Sequence, residues 1–132
     1  MSPFKPQYLA VVSLWAEDVP AAVHFYRHVV GLPLHPHHGH PPAFDLGSGQ
    51  YLAIVEGQPA FAREPGGSRF PVLAFAVRDL DEAVRHLQGH GVEFLQGIET
   101  GASGRWVRLT DPAGNLIEFV QFDRPPHARS QV

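Results

Sequence analysis

Two stretches of this 132-residue chain carry the same pattern in the same order, and that duplication limits the available folds more than any other feature. Val11 to Val23 reads VVSLWAEDVPAAV and Val72 to Val84 reads VLAFAVRDLDEAV, an offset of 72 − 11 = 61 residues. It lays Asp18 on Asp79, Ala22 on Ala83 and Val23 on Val84. A second match joins Gly49 to Glu56 (GQYLAIVE) with Gly114 to Gln121 (GNLIEFVQ), at an offset of 114 − 49 = 65. Generic strand and helix patterning explains one such match, but not agreement at both the leading and the trailing end of each half. The repeats run over about 8–57 and 70–122, joined by a Pro-, Gly- and Ser-rich linker at 58–69, within a single domain spanning 1–132.

Each half reads as strand, helix, then three short strands. Tyr8 to Ala16 is apolar, β-branched and aromatic, which suits a strand. Asp18 can cap a helix whose first turn accepts Pro20, with Ala22, Val23, Tyr26, Val29 and Val30 at helical spacing and Gly31 as its stop. Short strands are expected near 32–34, 43–46 and 51–55, with Gly47-Ser48-Gly49 turning between the last two. In the second half the spacing predicts a strand at 71–77 and a helix capped by Asp79 or Asp81, with Leu80, Ala83, Val84 and Leu87 on one face. Strands are then expected at 92–95, 106–109 and 116–122, with an open loop at 97–104. The class is α+β: two βαβββ repeats whose sheets form a cupped, incomplete β-barrel with the helices on its outer face.

The composition narrows the function classes. A formal charge of −3 without any basic run argues against nucleic acid. The absence of cysteine excludes disulfides, thiolate metal sites and a Cys nucleophile. No apolar run approaches the ~20 residues of a membrane span, and the N-terminus lacks a signal core, so a cytoplasmic protein is the expectation.

Two segments resemble the vicinal oxygen chelate superfamily, which holds glyoxalase I, bleomycin resistance proteins and extradiol dioxygenases. One is Asp18-Val-Pro-Ala-Ala-Val-His-Phe25-Tyr26-Arg27-His-Val-Val-Gly31-Leu32, and the other Asp111-Pro-Ala-Gly114-Asn115-Leu-Ile-Glu118-Phe119. The DPAGN part reads as a turn that shapes the fold, since Pro112 fixes one φ, Gly114 supplies a positive one, and Asp111 and Asn115 can bond back to the backbone. The resemblance implies a divalent metal held on the first and last strands of each half. Its four positions fall on Val11, Ala53, Val72 and Glu118. Three of these side chains cannot bind a metal, so no metal and no cofactor is expected. Four histidines stand between His35 and His40; broken by Pro and Gly, the run reads as an exposed loop, and folded back over the cup it would bring an imidazole to a ligand.

Strand alternation puts Val11, Ser13 and Trp15 on one face, which the resemblance implies is the cup because its ligand positions fall there, and by the same rule Ala53, Val72, Ala74 and Glu118. Trp106 and Arg108 join them on polarity. The expected site is therefore an apolar surface with two indoles and with Glu118, Arg108 and Ser13 as polar groups; Glu118 is either a candidate general base or the partner of Arg108 in a pair that organises the sheet. The function expected is metal-free binding of an aromatic or hydrophobic small molecule in the concave sheet pocket. The alternative is a lyase, isomerase or dioxygenase, metal-dependent or Glu118-based, with a non-standard site. A homodimer is expected, as the resemblance implies.

Overall fold

Asp18 and Asp79 start the two helices in the same way. In the computed structural model, which describes residues 7–36, 41–57 and 72–123, each carboxylate oxygen accepts a backbone N–H three residues on, from Ala21 and Glu82, both at 3.1 Å. These are N-caps, each worth about 1 kcal/mol. Pro20 stands in the first turn of α1 (Val19–His24), where its missing N–H costs no bond. Helix α2 spans Leu80–Gly89.

The chain divides into two units, 1–67 and 68–132. In the first, β1 (Val11–Ala16), β2 (Ala43–Gly47) and β3 (Gln50–Glu56) form a sheet in the order β1-β3-β2, with β1 parallel to β3 and β2 antiparallel to it. In the second, β4 (Leu73–Ala76), β5 (Glu99–Thr100), β6 (Gly104–Thr110) and β7 (Leu116–Phe122) are ordered β4-β7-β6-β5, and only the β4–β7 pair is parallel. The registers repeat as well. Ser13 pairs with Ala53 and Ala74 with Glu118, so the offsets of 74 − 13 = 61 and 118 − 53 = 65 seen in the sequence recur between paired strands.

One face of each sheet packs on its helix. In the first unit Leu14, Ala16, Phe44, Leu52 and Ile54 are buried with Ala22, Phe25, Tyr26 and Val29 from the helical segment, and the Tyr26 and Phe44 rings lie 5.9 Å apart. In the second, Val107, Leu109, Ile117 and Phe119 are buried with Leu80 and Leu87, and Phe75 packs on Phe119. Each large side chain so buried contributes roughly 1.5–3 kcal/mol. The Gln121 carboxamide on this face accepts from Leu80 N–H at 2.8 Å and from Arg105 at 3.2 Å, tying the helix start to β6 and β7.

The structure departs from the sequence expectations at several edges. β1 starts at Val11 rather than Tyr8. The helical stretch continues past His24 as a π-helix over Phe25–Val30, and Gly31 N–H reaches Tyr26 O five residues back. Apolar spacing at 22, 26 and 29 fits either hydrogen-bond ring, so the sequence does not separate them. The strands expected at 32–34 and 92–95 are single bridges, Leu34 to Phe44 and Phe94 to Leu109. The expected loop at 97–104 is a hairpin, with Glu99 and Thr100 facing Trp106 and Arg105. Between β2 and β3 the two-residue turn Ser48-Gly49 has positive φ at both positions, 54° and 79°, the geometry that matches strand twist. The linker, Pro71, His37 to His40, the tail from Arg124 and the first six residues lie outside the described residues. No helix among the described residues is long and apolar enough to cross a membrane.

Candidate functional site

The sheet faces turned away from the helices carry the side chains singled out above. In the first unit Val11, Ser13 and Trp15 of β1 share a face with Ala53 of β3, because Ser13 pairs directly with Ala53. Val11 and Trp15 are exposed there, while Leu14 and Ala16 point to the core. The Trp15 ring lies close over Gly57: a Cβ built there would stand 3.4 Å from the indole. Tyr51, which pairs with Val11 and packs edge-on against His35 at 5.4 Å, belongs to the same face and had not been expected there.

In the second unit one line across the sheet runs Ala74, Glu118, Arg108, and the next runs Ala76, Val120, Trp106, Glu99. Val72 lies just before β4 and is half-buried. Arg108 Nε donates to Glu118 Oε2 at 3.1 Å, with side-chain exposures of 41% and 18%. A pair this open adds little stability, about 0–1 kcal/mol, and its main effect is to orient the two groups. It also leaves the terminal guanidinium nitrogens of Arg108 without a bond to any described residue.

Trp106 is held in place from two sides. Its indole N–H donates to Glu99 Oε2 at 2.6 Å, and the Gln96 side-chain amide bonds the other oxygen of the same carboxylate. Gly101, at the tip of the hairpin, lies against the indole so closely that a Cβ would come within 2.7 Å of it. Sequence reasoning missed Glu99, Gln96 and Gly101 because it treated the segment as an open loop. The signal was present: Gly101-Ala102-Ser103-Gly104 is a hairpin tip, and its flanks place Glu99 opposite Trp106.

The DPAGN segment is a turn between β6 and β7. The Asp111 carboxylate, 4% exposed, accepts from Ala113 N–H at 2.9 Å, Asn115 N–H at 2.8 Å and the Asn115 amide at 2.9 Å. Gly114 has φ +91°.

A sequence profile of the Glyoxalase/Bleomycin resistance protein/Dioxygenase superfamily matches residues 8–119. The chain belongs to that superfamily. No curated protein matches the chain. Among solved structures it resembles TnmS3, an antibiotic binding protein from Streptomyces sp. CB03234, at 25% identity and a TM-score of 0.73, over 91% of this chain and 99% of that one. It also resembles a glyoxalase/dioxygenase from Nostoc punctiforme (21% identity, TM-score 0.76, 94% and 97% covered). A third likeness is to a lactoylglutathione lyase from Agrobacterium tumefaciens (24%, TM-score 0.68, 91% and 96%). The last two likenesses concern the fold alone.

The superfamily's metal does not suit the side chains at its four positions here. Val11, Ala53 and Val72 offer no donor atom, and the fourth position, Glu118, is bonded to Arg108. A divalent ion in a protein site ordinarily takes about three protein ligands. Among the described residues no three His, Asp or Glu side chains gather as such a set.

Proposed function

We propose that this member of the superfamily binds an aromatic or hydrophobic small molecule without a metal ion, on the helix-free sheet faces. The observation that carries the reading is the immobilised Trp106, with small side chains two strands away on the same sheet face. Its indole is pinned by Glu99 and Gly101, and Ala74 and Ala76 leave room on the same face. A rigid indole offers a stacking surface at little entropic cost. Arg108, oriented by Glu118, supplies N–H donors for an acceptor on the ligand, such as a carbonyl or an acidic group. Trp15, Val11, Ser13 and Ala53 give the first unit a similar apolar surface. The likeness to an antibiotic binding protein supports a binding role. A cytoplasmic homodimer belongs to the same reading, and sedimentation in solution tests the dimer.

The test uses the anionic naphthalene probe ANS, which combines an aromatic body with an acceptor sulfonate, on protein treated with chelator. Saturable binding is expected with the same Kd before and after chelation, and at least ~10-fold weaker in Trp106→Ala, since one aromatic stacking contact is worth about 0.5–1.5 kcal/mol beyond its buried area. Near-UV circular dichroism checks that the variant stays folded. Binding that requires an added divalent ion, or that ignores the loss of Trp106, refutes the proposal.

A further inference from the structure

Both helices carry two histidines four residues apart: His24 and His28 on the first helical segment, His86 and His90 at the end of α2. All four are exposed. Residues at i and i+4 share a helix face, and two histidines at this spacing are a recurrent way for a helix to hold a transition ion. The ring centroids lie 5.1 Å apart in the first pair and 4.8 Å in the second. A metal–nitrogen bond of about 2.1 Å puts an imidazole centre about 3.2 Å from the ion, so two rings at square-planar or tetrahedral angles stand roughly 4.5–5.2 Å apart. Both pairs fall in that range.

We infer that each helix bears a two-imidazole chelate for a late first-row divalent ion, copper(II) in preference to nickel(II) or zinc(II), with water completing the coordination. Imidazole suits all three ions, and copper(II) heads their affinity order. The pairs lie on the helices, not on the sheet faces assigned to the small molecule, so the two sites are independent. Their separations agree, 86 − 24 = 62 and 90 − 28 = 62, within one residue of the 61-residue offset of the leading repeat. In the register of the repeat, 24 + 61 = 85 and 28 + 61 = 89, so His24 and His28 fall on Arg85 and Gly89, and the second pair stands one residue further along.

The full chain is titrated with copper(II) chloride by calorimetry, with histidine side-chain NMR as the site-resolved readout. Wild type is compared with His24→Ala/His28→Ala, with His86→Ala/His90→Ala, and with all four replaced. Because all four are exposed, the replacements leave the core intact, which far-UV circular dichroism verifies. Each double variant is expected to lose one equivalent of copper and the quadruple variant two. The paramagnetic ion is expected to broaden the signals of both pairs, and a single His24→Ala change to weaken its site at least ~10-fold. A loss of fewer than two equivalents in the quadruple variant overturns the inference. So does broadening confined to the 35–40 run and His127. ANS binding stays unchanged in the quadruple variant, which separates this outcome from failure of the small-molecule reading.

Discussion

Replacing Gly101 by Ala tests whether the Trp106 indole is held where the proposed function needs it. The new Cβ would stand 2.7 Å from Cη2 and 2.8 Å from Cζ3 of the indole. Comfortable carbon–carbon contact begins at about 3.5 Å, so something must move by nearly 1 Å. If the ring swings away, it draws its N–H from Glu99, breaking a 2.6 Å bond to a carboxylate, of a kind worth about 1.5–3 kcal/mol. If the hairpin tip lifts, it stretches the 2.8 Å bond from Gly101 N–H to Gly104 O, worth about 1 kcal/mol. The cheaper route sets the cost at about 1–2 kcal/mol, a fall in Tm of roughly 3–8 °C. The chain has two tryptophans, so in a Trp15→Phe background all indole emission comes from Trp106. Calorimetry and emission spectra of that protein with and without Gly101→Ala provide the assay. The expected result is a lower Tm, a shifted emission maximum and ANS binding weakened about 3–10-fold, the equivalent of about 0.7–1.4 kcal/mol. A Tm within about 1 °C of the parent together with an unchanged spectrum shows that the ring does not rest on Gly101, and the preorganisation argument fails.

Gly104→Ala is expected to be more damaging, because its Cβ would lie 2.3 Å from the backbone oxygen of Gln121 and the β6 and β7 strands have to part. Overpacking against backbone predicts a loss of about 3 kcal/mol or more, read as a lower urea midpoint with an unchanged slope. Gly89→Ala serves as its control: nothing lies within 4 Å of the new methyl group, and a helical position gains about 0.5–1 kcal/mol. Asp111→Ala leaves the Ala113 and Asn115 N–H groups without their carboxylate and is expected to cost about 2–4 kcal/mol. Asp111→Asn, which keeps one acceptor oxygen, is expected to cost about half as much by the same denaturation experiment.

The elements legible in the sequence are those set by local chemistry with one physical solution. Asp18 and Asp79 announce helix starts because a short carboxylate next to a helical period has a ready N–H partner. Alternation in VVSLWA separates its two faces, and in GRWVRLT polarity assigns Val107 and Leu109 to the core and Trp106 and Arg108 to the other face; Val107 and Leu109 are buried in the structure. The DPAGN turn is legible because Pro112 fixes a negative φ and Gly114 admits the positive φ the turn needs. What escaped depends on pairing between distant positions. Leu34 and Phe94 each make one bridge instead of a strand, and strand propensity does not reveal how many partners a segment finds. The widened turn over Phe25–Val30 is hidden because both helix types bury the same residues.

The site was legible as a set of residues on shared faces and illegible as a device. Alternation collects Ser13 with Ala53 and Ala74 with Glu118, but register decides that Arg108 stands directly opposite Glu118, a pairing the sequence leaves open, and that Glu99 meets the Trp106 indole. The hairpin tip at Gly101 to Gly104 sets Glu99 opposite Trp106, but the residue type of Glu99 alone does not mark it as the acceptor for that indole. The caps, turns and core positions that build the fold lie on the helix side and at the strand ends, whereas the four superfamily ligand positions lie on or beside strands at the opposite face. There Val and Ala satisfy the pleat as well as His or Glu would, so a chain can exchange metal-binding side chains for apolar ones without altering what makes it fold. Membership of the superfamily therefore describes the scaffold, and the chemistry has to be argued from Trp106, Arg108, Glu118 and their neighbours.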